Sequence, residues 1–157
     1  MIKDSSGATK KAAFPYFALA TCLPLVLGGI FFVFPQLSIF SAAKLETVFV
    51  GYGTVLLGFF SGIRFGTKLN TNRSGKVWMV PFLAGPFLGL IVLGVPFSLA
   101  LAILAVGFGA QGAWDSLAAF RGNLPNRYTA MRTTTTWLIC ALLILVFILD
   151  GMNKSTL

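Results

Sequence analysis

The 157-residue chain contains no histidine, and it has only four acidic residues. Histidine is the commonest metal ligand and the usual general base near neutral pH, so its absence argues against both kinds of site. The sequence also lacks paired carboxylates, a CxxC motif and a glycine-rich phosphate-binding loop, motifs on which many enzymes depend. We therefore expect a protein that is not an enzyme and that holds neither a cofactor nor a metal ion.

Cysteine is scarce as well, with Cys22 and Cys140 the only two in the sequence. Both lie inside apolar segments, 118 residues apart, and a free cysteine in such a place behaves as a small apolar residue. We interpret them as packing residues in the core or against lipid. A disulfide or a redox pair is the alternative interpretation.

Charged residues make up 10% of the chain, against about 25% in a typical soluble domain. Hydrophobic residues make up 57%, and the mean hydropathy is +0.88. A chain this apolar cannot cover itself with a polar surface, so the composition predicts a protein that lies in the lipid bilayer. The net charge of +8 is spread in short runs between apolar segments, which argues against nucleic-acid binding.

Five apolar segments, each long enough to cross most of a bilayer as a helix, follow one another along the chain. They cover residues 16–34, 45–63, 77–94, 97–114 and 133–149. Because lipid offers no partner to free backbone groups, each segment is predicted to be helical. The fold expected is an all-α integral membrane bundle of five transmembrane helices over residues 14–150. A mobile basic tail at 1–13 and a short tail at 151–157 flank it.

The connections between the segments are short. Gly94, Val95 and Pro96 separate the third and fourth segments, which predicts a tight antiparallel hairpin. The fourth helix is expected to continue to about Phe120, with Gly122 as its stop signal. Pro125 then suits the first turn of the next helix.

Lysine and arginine are distributed unevenly among these connections. Ten of the 12 lie in the N-terminal tail, in the connection after the second segment or after the fourth segment, and only Lys44 and Lys154 lie on the other side. Cytoplasmic loops usually carry the excess of basic residues. We therefore expect the N-terminus in the cytoplasm and the C-terminus outside, with a bacterial inner membrane as the simplest location.

Small residues recur every four positions in three of the segments, and this spacing places them in a row along one side of a helix. The rows are Thr54, Gly58, Gly62 and Gly66, then Gly85 and Gly89, then Ala105, Gly109 and Ala113. Such rows let helix backbones approach closely in lipid, so we interpret them as helix-packing stripes. A groove for a ligand is the alternative. The fifth segment has almost no small residues and is expected to pack more peripherally.

Polar residues at the predicted cytoplasmic edge form a second candidate site. Asp115 ends the fourth span, and Gln111 lies one turn below it on the same helix face. Arg64 and Arg132 are expected at a similar depth, so either arginine is a candidate partner for Asp115. Tyr128 belongs to the same candidate cluster. A structural clamp between helix ends is the first interpretation, and a small polar site is the second.

Three stretches in a fixed order resemble a known family. They are GYGTVLLGFFSGIRFG at 51–66, the start of the third span with Trp78 and Pro81, and WDSLAAFRGNLPNRYTAMR at 114–132. Together they resemble the domain-of-unknown-function family 3429, over about residues 14–149. That family comprises small bacterial membrane proteins and a mitochondrial relative called transmembrane protein sixty-nine.

The marks of this resemblance are few but ordered. One is the end of the second span at Arg64, Phe65 and Gly66, and another is Asp115 with the Leu124-Pro125, Tyr128 and Arg132 that follow it. Many relatives carry tryptophan where Phe65 and Arg127 stand here, so no role for an indole is carried over to those positions. The resemblance implies five helical spans and membrane residence, and it implies no activity.

The expected function is that of a non-enzymatic membrane protein, a packing, assembly or scaffold component. Its partners would be the lipid bilayer and another membrane protein or a second copy of itself. The alternative is a binder or carrier of a small lipophilic molecule. Ion or solute transport is less favoured, because no lysine or carboxylate lies near the middle of a predicted span.

Overall fold

The computed structural model describes the backbone of residues 13–69, 80–121 and 126–155 and the side chains of residues 20–63, 85–121 and 128–154. The predictions for the basic tail before Ala13, for Gly122 and for Pro125 lie outside the described residues. So do the side chain of Arg64 and the surroundings of Gly66.

The described chain is all-helical, as predicted. Its elements are α1 (Ala13–Val33), a short 3-10 turn (Pro35–Leu37), α2 (Ala42–Leu69), α3 (Val80–Leu93), α4 (Phe97–Phe120) and α5 (Asn126–Ser155). Three helical stretches are long and apolar enough to cross a membrane: Ala42–Ile63, Phe97–Phe120 and Tyr128–Lys154. The described apolar parts of α1 and α3 are shorter.

The connection between α3 and α4 is the predicted hairpin. The Gly94 backbone N–H donates to the Ile91 carbonyl at 3.0 Å, and α4 begins three residues later at Phe97. Proline at position 96 cannot donate a backbone hydrogen bond, so the chain turns at this point. The prediction that the fourth helix continues to Phe120 is also confirmed.

Most of the core residues come from α2, α4 and α5. Leu57 on α2, Leu104 and Phe108 on α4, and Leu143 and Val146 on α5 are all fully buried. These large side chains fill the space between the helices at close packing, which supplies the dispersion energy that holds a bundle together in lipid.

The prediction that the fifth helix packs peripherally is wrong. α5 packs along α4 and against α1, and its residues Ile139, Leu143 and Val146 are buried. The small residue that brings these helices close lies on α4, since a Cβ atom at Gly112 would lie 2.6 Å from Thr136 Cγ2. A helix with large side chains thus packs centrally when its neighbour provides the space.

Helices α2 and α3 approach through glycines of α3. A Cβ atom at Gly89 would lie 2.5 Å from Thr54 Cγ2, and one at Gly85 would overlap with Ser61 Oγ. Thr54 and Ser61 are seven residues apart, so they share one face of α2. Residues four positions apart differ by about 40° in their direction around a helix. Gly58 and Gly62, which follow Thr54 at steps of four, therefore lie progressively farther from the contact with α3.

Candidate functional site

A buried arginine on α5 lies at the centre of the main polar cluster. Arg132 Nε donates to Asp115 Oδ2 at 3.0 Å, and Arg132 Nη2 donates to Gln111 Oε1 at 2.9 Å. Asp115 and Gln111 are one turn apart on α4, so a single guanidinium group contacts both. The structure therefore pairs Asp115 with Arg132.

The same cluster reaches the second helix through Gln111 and Phe60. Gln111 Nε2 donates to Ser61 Oγ at 2.5 Å and to the Leu57 carbonyl at 3.3 Å. The Arg132 guanidinium carbon lies 3.8 Å from the centre of the Phe60 ring, a cation–π contact. We call Arg132, Asp115, Gln111, Ser61 and Phe60 the arginine cluster.

Five residues were predicted to form a polar cluster at the cytoplasmic edge. Three of them meet in the arginine cluster: Gln111, Asp115 and Arg132. Tyr128 is half-buried and lies one turn before Arg132 on α5. Sequence reasoning missed Phe60 and Ser61, which lie beside the glycines of the second span. The signal was available, because a serine inside an apolar span needs a hydrogen-bond partner.

The arginine cluster is suited to holding helices together. The charges of Arg132 and Asp115 offset each other, and their side chains are almost completely withdrawn from the surface. No described residue accepts a hydrogen bond from Arg132 Nη1. The contacts that are formed join α2, α4 and α5. Removal of one partner of a buried ion pair such as Arg132–Asp115 typically destabilises a protein by about 3–5 kcal/mol. Among the described residues there is no group of three metal-ligating side chains.

A second polar group, which was not predicted from the sequence, joins the other ends of α4 and α5. Ser98 Oγ donates to Asp150 Oδ2 at 2.6 Å. Lys154 Nζ lies 2.7 Å from the same carboxylate oxygen and 3.0 Å from Ser98 Oγ. Helices α4 and α5 are thus fastened by polar contacts near both ends.

A groove runs along the outer side of the contact between α4 and α5, with a volume of about 290 Å³. Its wall is formed by Gly109, Gly112, Ala113 and Ser116 from α4 and by Thr133, Thr136, Trp137 and Cys140 from α5. No described atom lies within 4 Å of a Cβ position at Gly109, and Ala113 is exposed. Two residues of the third predicted stripe therefore line an open groove, which we call the α4–α5 groove.

The remaining residue of that stripe, Ala105, is half-buried and packs against the core. Its carbonyl accepts a weak hydrogen bond from Cys140 Sγ at 3.7 Å. Cys22 is buried, and both cysteines are free thiols, as the packing interpretation predicts. Gly112 lines the groove and follows Gln111 of the arginine cluster on α4. The groove and the arginine cluster therefore flank the same contact between α4 and α5.

A family described as "protein of unknown function (DUF3429)" matches residues 10–148. The chain belongs to this family. The match confirms the resemblance seen in the sequence, and it includes the arginine cluster and the α4–α5 groove of this DUF3429 protein. Neither the curated proteins nor the solved structures contain a match.

Proposed function

We propose that this DUF3429 protein is a non-enzymatic, multi-pass membrane protein that packs with other membrane components as an assembly or scaffold factor. Five spans, a cytoplasmic N-terminus and a bacterial inner membrane are part of the proposal. Support for the setting comes from the three long apolar helices and from large apolar side chains on their outer faces, such as Val55 and Val106. The excess of basic residues on one side supports the orientation.

The observation that carries the proposal is the open α4–α5 groove. In lipid, helices associate through close van der Waals packing, and this packing needs small residues at the contact. Gly109 and Ala113 are four residues apart, as such a contact requires. No described part of the chain fills the space beside either residue. A transmembrane helix of a partner fits this arrangement, because its side chains can enter the groove.

The two polar groups that fasten α4 and α5 support the proposal further. The arginine cluster acts near one end of the helix pair, and Ser98, Asp150 and Lys154 act at the other. A groove whose walls are held in place loses little conformational entropy when a partner binds. The clamp predicted from the sequence thus serves to keep the docking surface formed.

The experiment is extraction of the tagged full-length chain in native lipid, followed by mass spectrometry of everything that co-purifies. Three chains are compared: wild type, Gly109→Leu, which fills the groove, and Gly58→Leu, which adds the same side chain at another open position on α2. We expect a stoichiometric protein partner with wild type and Gly58→Leu and its loss with Gly109→Leu. Retention of the partner by Gly109→Leu would exclude the groove as the docking surface.

The binding of a small lipophilic molecule is the second candidate. The groove volume of about 290 Å³ is close to the lower limit for small-molecule pockets, and the wall is largely apolar with a few hydroxyl groups. A stoichiometric lipid or pigment in the same mass spectra, lost with Gly109→Leu, would favour this function over assembly.

A further inference from the structure

We infer that the occupant of the α4–α5 groove is the same groove of a second copy of this chain, in a two-fold symmetric dimer. The inference rests on the proposed function and names its partner. It follows from three properties of the groove: a matching protrusion at its rim, unpaired hydrogen-bonding groups of opposite kind, and the absence of charge.

The protrusion is the side chain of Trp137. It lines the groove and is 73% exposed. The opposite wall forms a recess, because Gly109 has no side chain and Ala113 has only a methyl group. A symmetric dimer needs a surface that is complementary to itself, so each copy must present both a protrusion and a recess. This surface presents both.

The protrusion and the recess lie at depths in the membrane that are compatible with a two-fold axis along the membrane normal. Two copies inserted in the same direction are related by an axis along the membrane normal, so residues at equal depth face each other. Trp137 and Gly109 line one groove and therefore lie at similar depths. The rotation thus brings the indole of each copy to the recess of the other.

The hydrogen-bonding groups are also complementary. The hydroxyl of Thr136, a buried wall residue, has no hydrogen-bond partner among the described residues. The indole N–H of Trp137, a largely exposed side chain, is a donor, and indole N–H groups usually find an acceptor when buried. In the dimer, the Thr136 hydroxyl of one copy is the acceptor for the Trp137 indole N–H of the other.

Charge does not oppose the dimer, although the chain carries +8 overall. Residues 97–114 and 133–149, which contain most of the groove wall, include no charged residue. Two identical surfaces of this kind meet without like-charge repulsion, which would otherwise disfavour self-association.

The test is cross-linking with a short bis-maleimide between two differently tagged full-length chains that are co-expressed in native membranes, because two cysteines separated by the width of an indole are too far apart for a direct disulfide. Both carry Cys22→Ser and Cys140→Ser; one also carries Trp137→Cys and the other Ala113→Cys. Each chain then has one cysteine, so a cross-link that joins the two tags reports contact between copies. We expect efficient cross-linking, because the Ala113→Cys chain keeps its own Trp137 to hold the dimer.

The matched control replaces Trp137→Cys with Leu138→Cys, at nearly the same depth on a different side of α5. We expect at least tenfold less cross-linking from it. Cross-linking as efficient as that of Trp137→Cys, or no cross-linking of the Trp137→Cys pair, would overturn the dimer. A different protein recovered with the wild-type chain in the preceding experiment would then leave the docking function standing without the second copy.

Mass spectrometry of the otherwise wild-type chain in native lipid gives an independent measure of the dimer. We expect Gly109→Leu to reduce the dimer fraction at least tenfold with unchanged helix content by circular dichroism. Thr136→Val, which removes the hydroxyl and keeps the shape, is expected to weaken the dimer about threefold, as other hydrogen bonds between membrane helices do. A purely monomeric wild-type chain would overturn the inference.

Discussion

Arg132 Nε lies 3.0 Å from Asp115 Oδ2, and the two side chains are only 2% and 7% exposed. This buried pair joins the beginning of α5 to the end of α4. Gln111 and Phe60 surround the guanidinium, so the pair belongs to a network that also includes α2. The arginine cluster therefore connects three helices, and removal of the charge pair is expected to destabilise the bundle.

Asp115→Asn is expected to lower the free energy of unfolding by about 3 kcal/mol, because it leaves a buried guanidinium without its counter-charge. The measurement is denaturant unfolding in nanodiscs. The exchange of Asp115→Arg with Arg132→Asp in one chain should restore part of the loss that each reversal causes alone. Asp150→Asn is the control: its partner Lys154 is largely exposed, so a loss below about 1 kcal/mol is expected. Equal losses in Asp115→Asn and Asp150→Asn would contradict the clamp.

Phe60→Leu is expected to destabilise the bundle by about 1–2 kcal/mol, since it removes the ring beneath the Arg132 guanidinium and the edge contact of that ring with Phe108. Phe59→Leu, next to it on the exposed side of α2, should have little effect. The same unfolding measurement applies. If the two substitutions had the same effect, the cation–π contact would contribute nothing measurable.

Gly85→Ala is expected to destabilise by about 1–3 kcal/mol, because its new methyl group would overlap with Ser61 Oγ. Ser61 is held by its hydrogen bond to Gln111 and has little freedom to move. Gly58→Ala meets no described atom within 4 Å and should be neutral or stabilising, since alanine favours helix by up to about 1 kcal/mol. Thermal unfolding of both variants distinguishes them, and the reverse order would disprove the packing described for α2 and α3.

Leu143→Ala tests the central position of α5. Leu143 is fully buried, and the cavity left by truncation is expected to cost about 2 kcal/mol or more. Leu145→Ala, on the exposed side of the same helix, should cost less than about 0.5 kcal/mol. A small effect at both positions in the unfolding measurement would restore the peripheral assignment.

A reporter fused after Leu157 tests the proposed orientation. Five spans with a cytoplasmic N-terminus place the C-terminus outside, as the distribution of lysine and arginine predicts. We expect alkaline phosphatase, which is active only outside the cytoplasm, to be active in this fusion. Green fluorescent protein at the same position should be dark, and bright fluorescence would reverse the orientation.

Much of the fold could be predicted from the sequence because helices in lipid obey a local rule. A long apolar run must satisfy its own backbone hydrogen bonds, and a helix does this without reference to the rest of the chain. The turn at Gly94–Pro96 and the end of α4 at Phe120 follow from similarly local signals. The position of α5 could not be predicted in this way, because it depends on the space at Gly112 of another helix.

The all-helical class and the family follow from the amino-acid sequence. So do the candidates for the polar site, because helical periodicity places Asp115 and Gln111 on one face. The packing of the helices was needed to show that Arg132 is the partner of Asp115 and that Phe60 and Ser61 complete the cluster. It also decided that Gly85 and Gly89 are closely packed while Gly58 and Gly109 are open. Periodicity specifies which residues lie on one face of a helix, but the neighbour that this face meets depends on the packing of all the helices together.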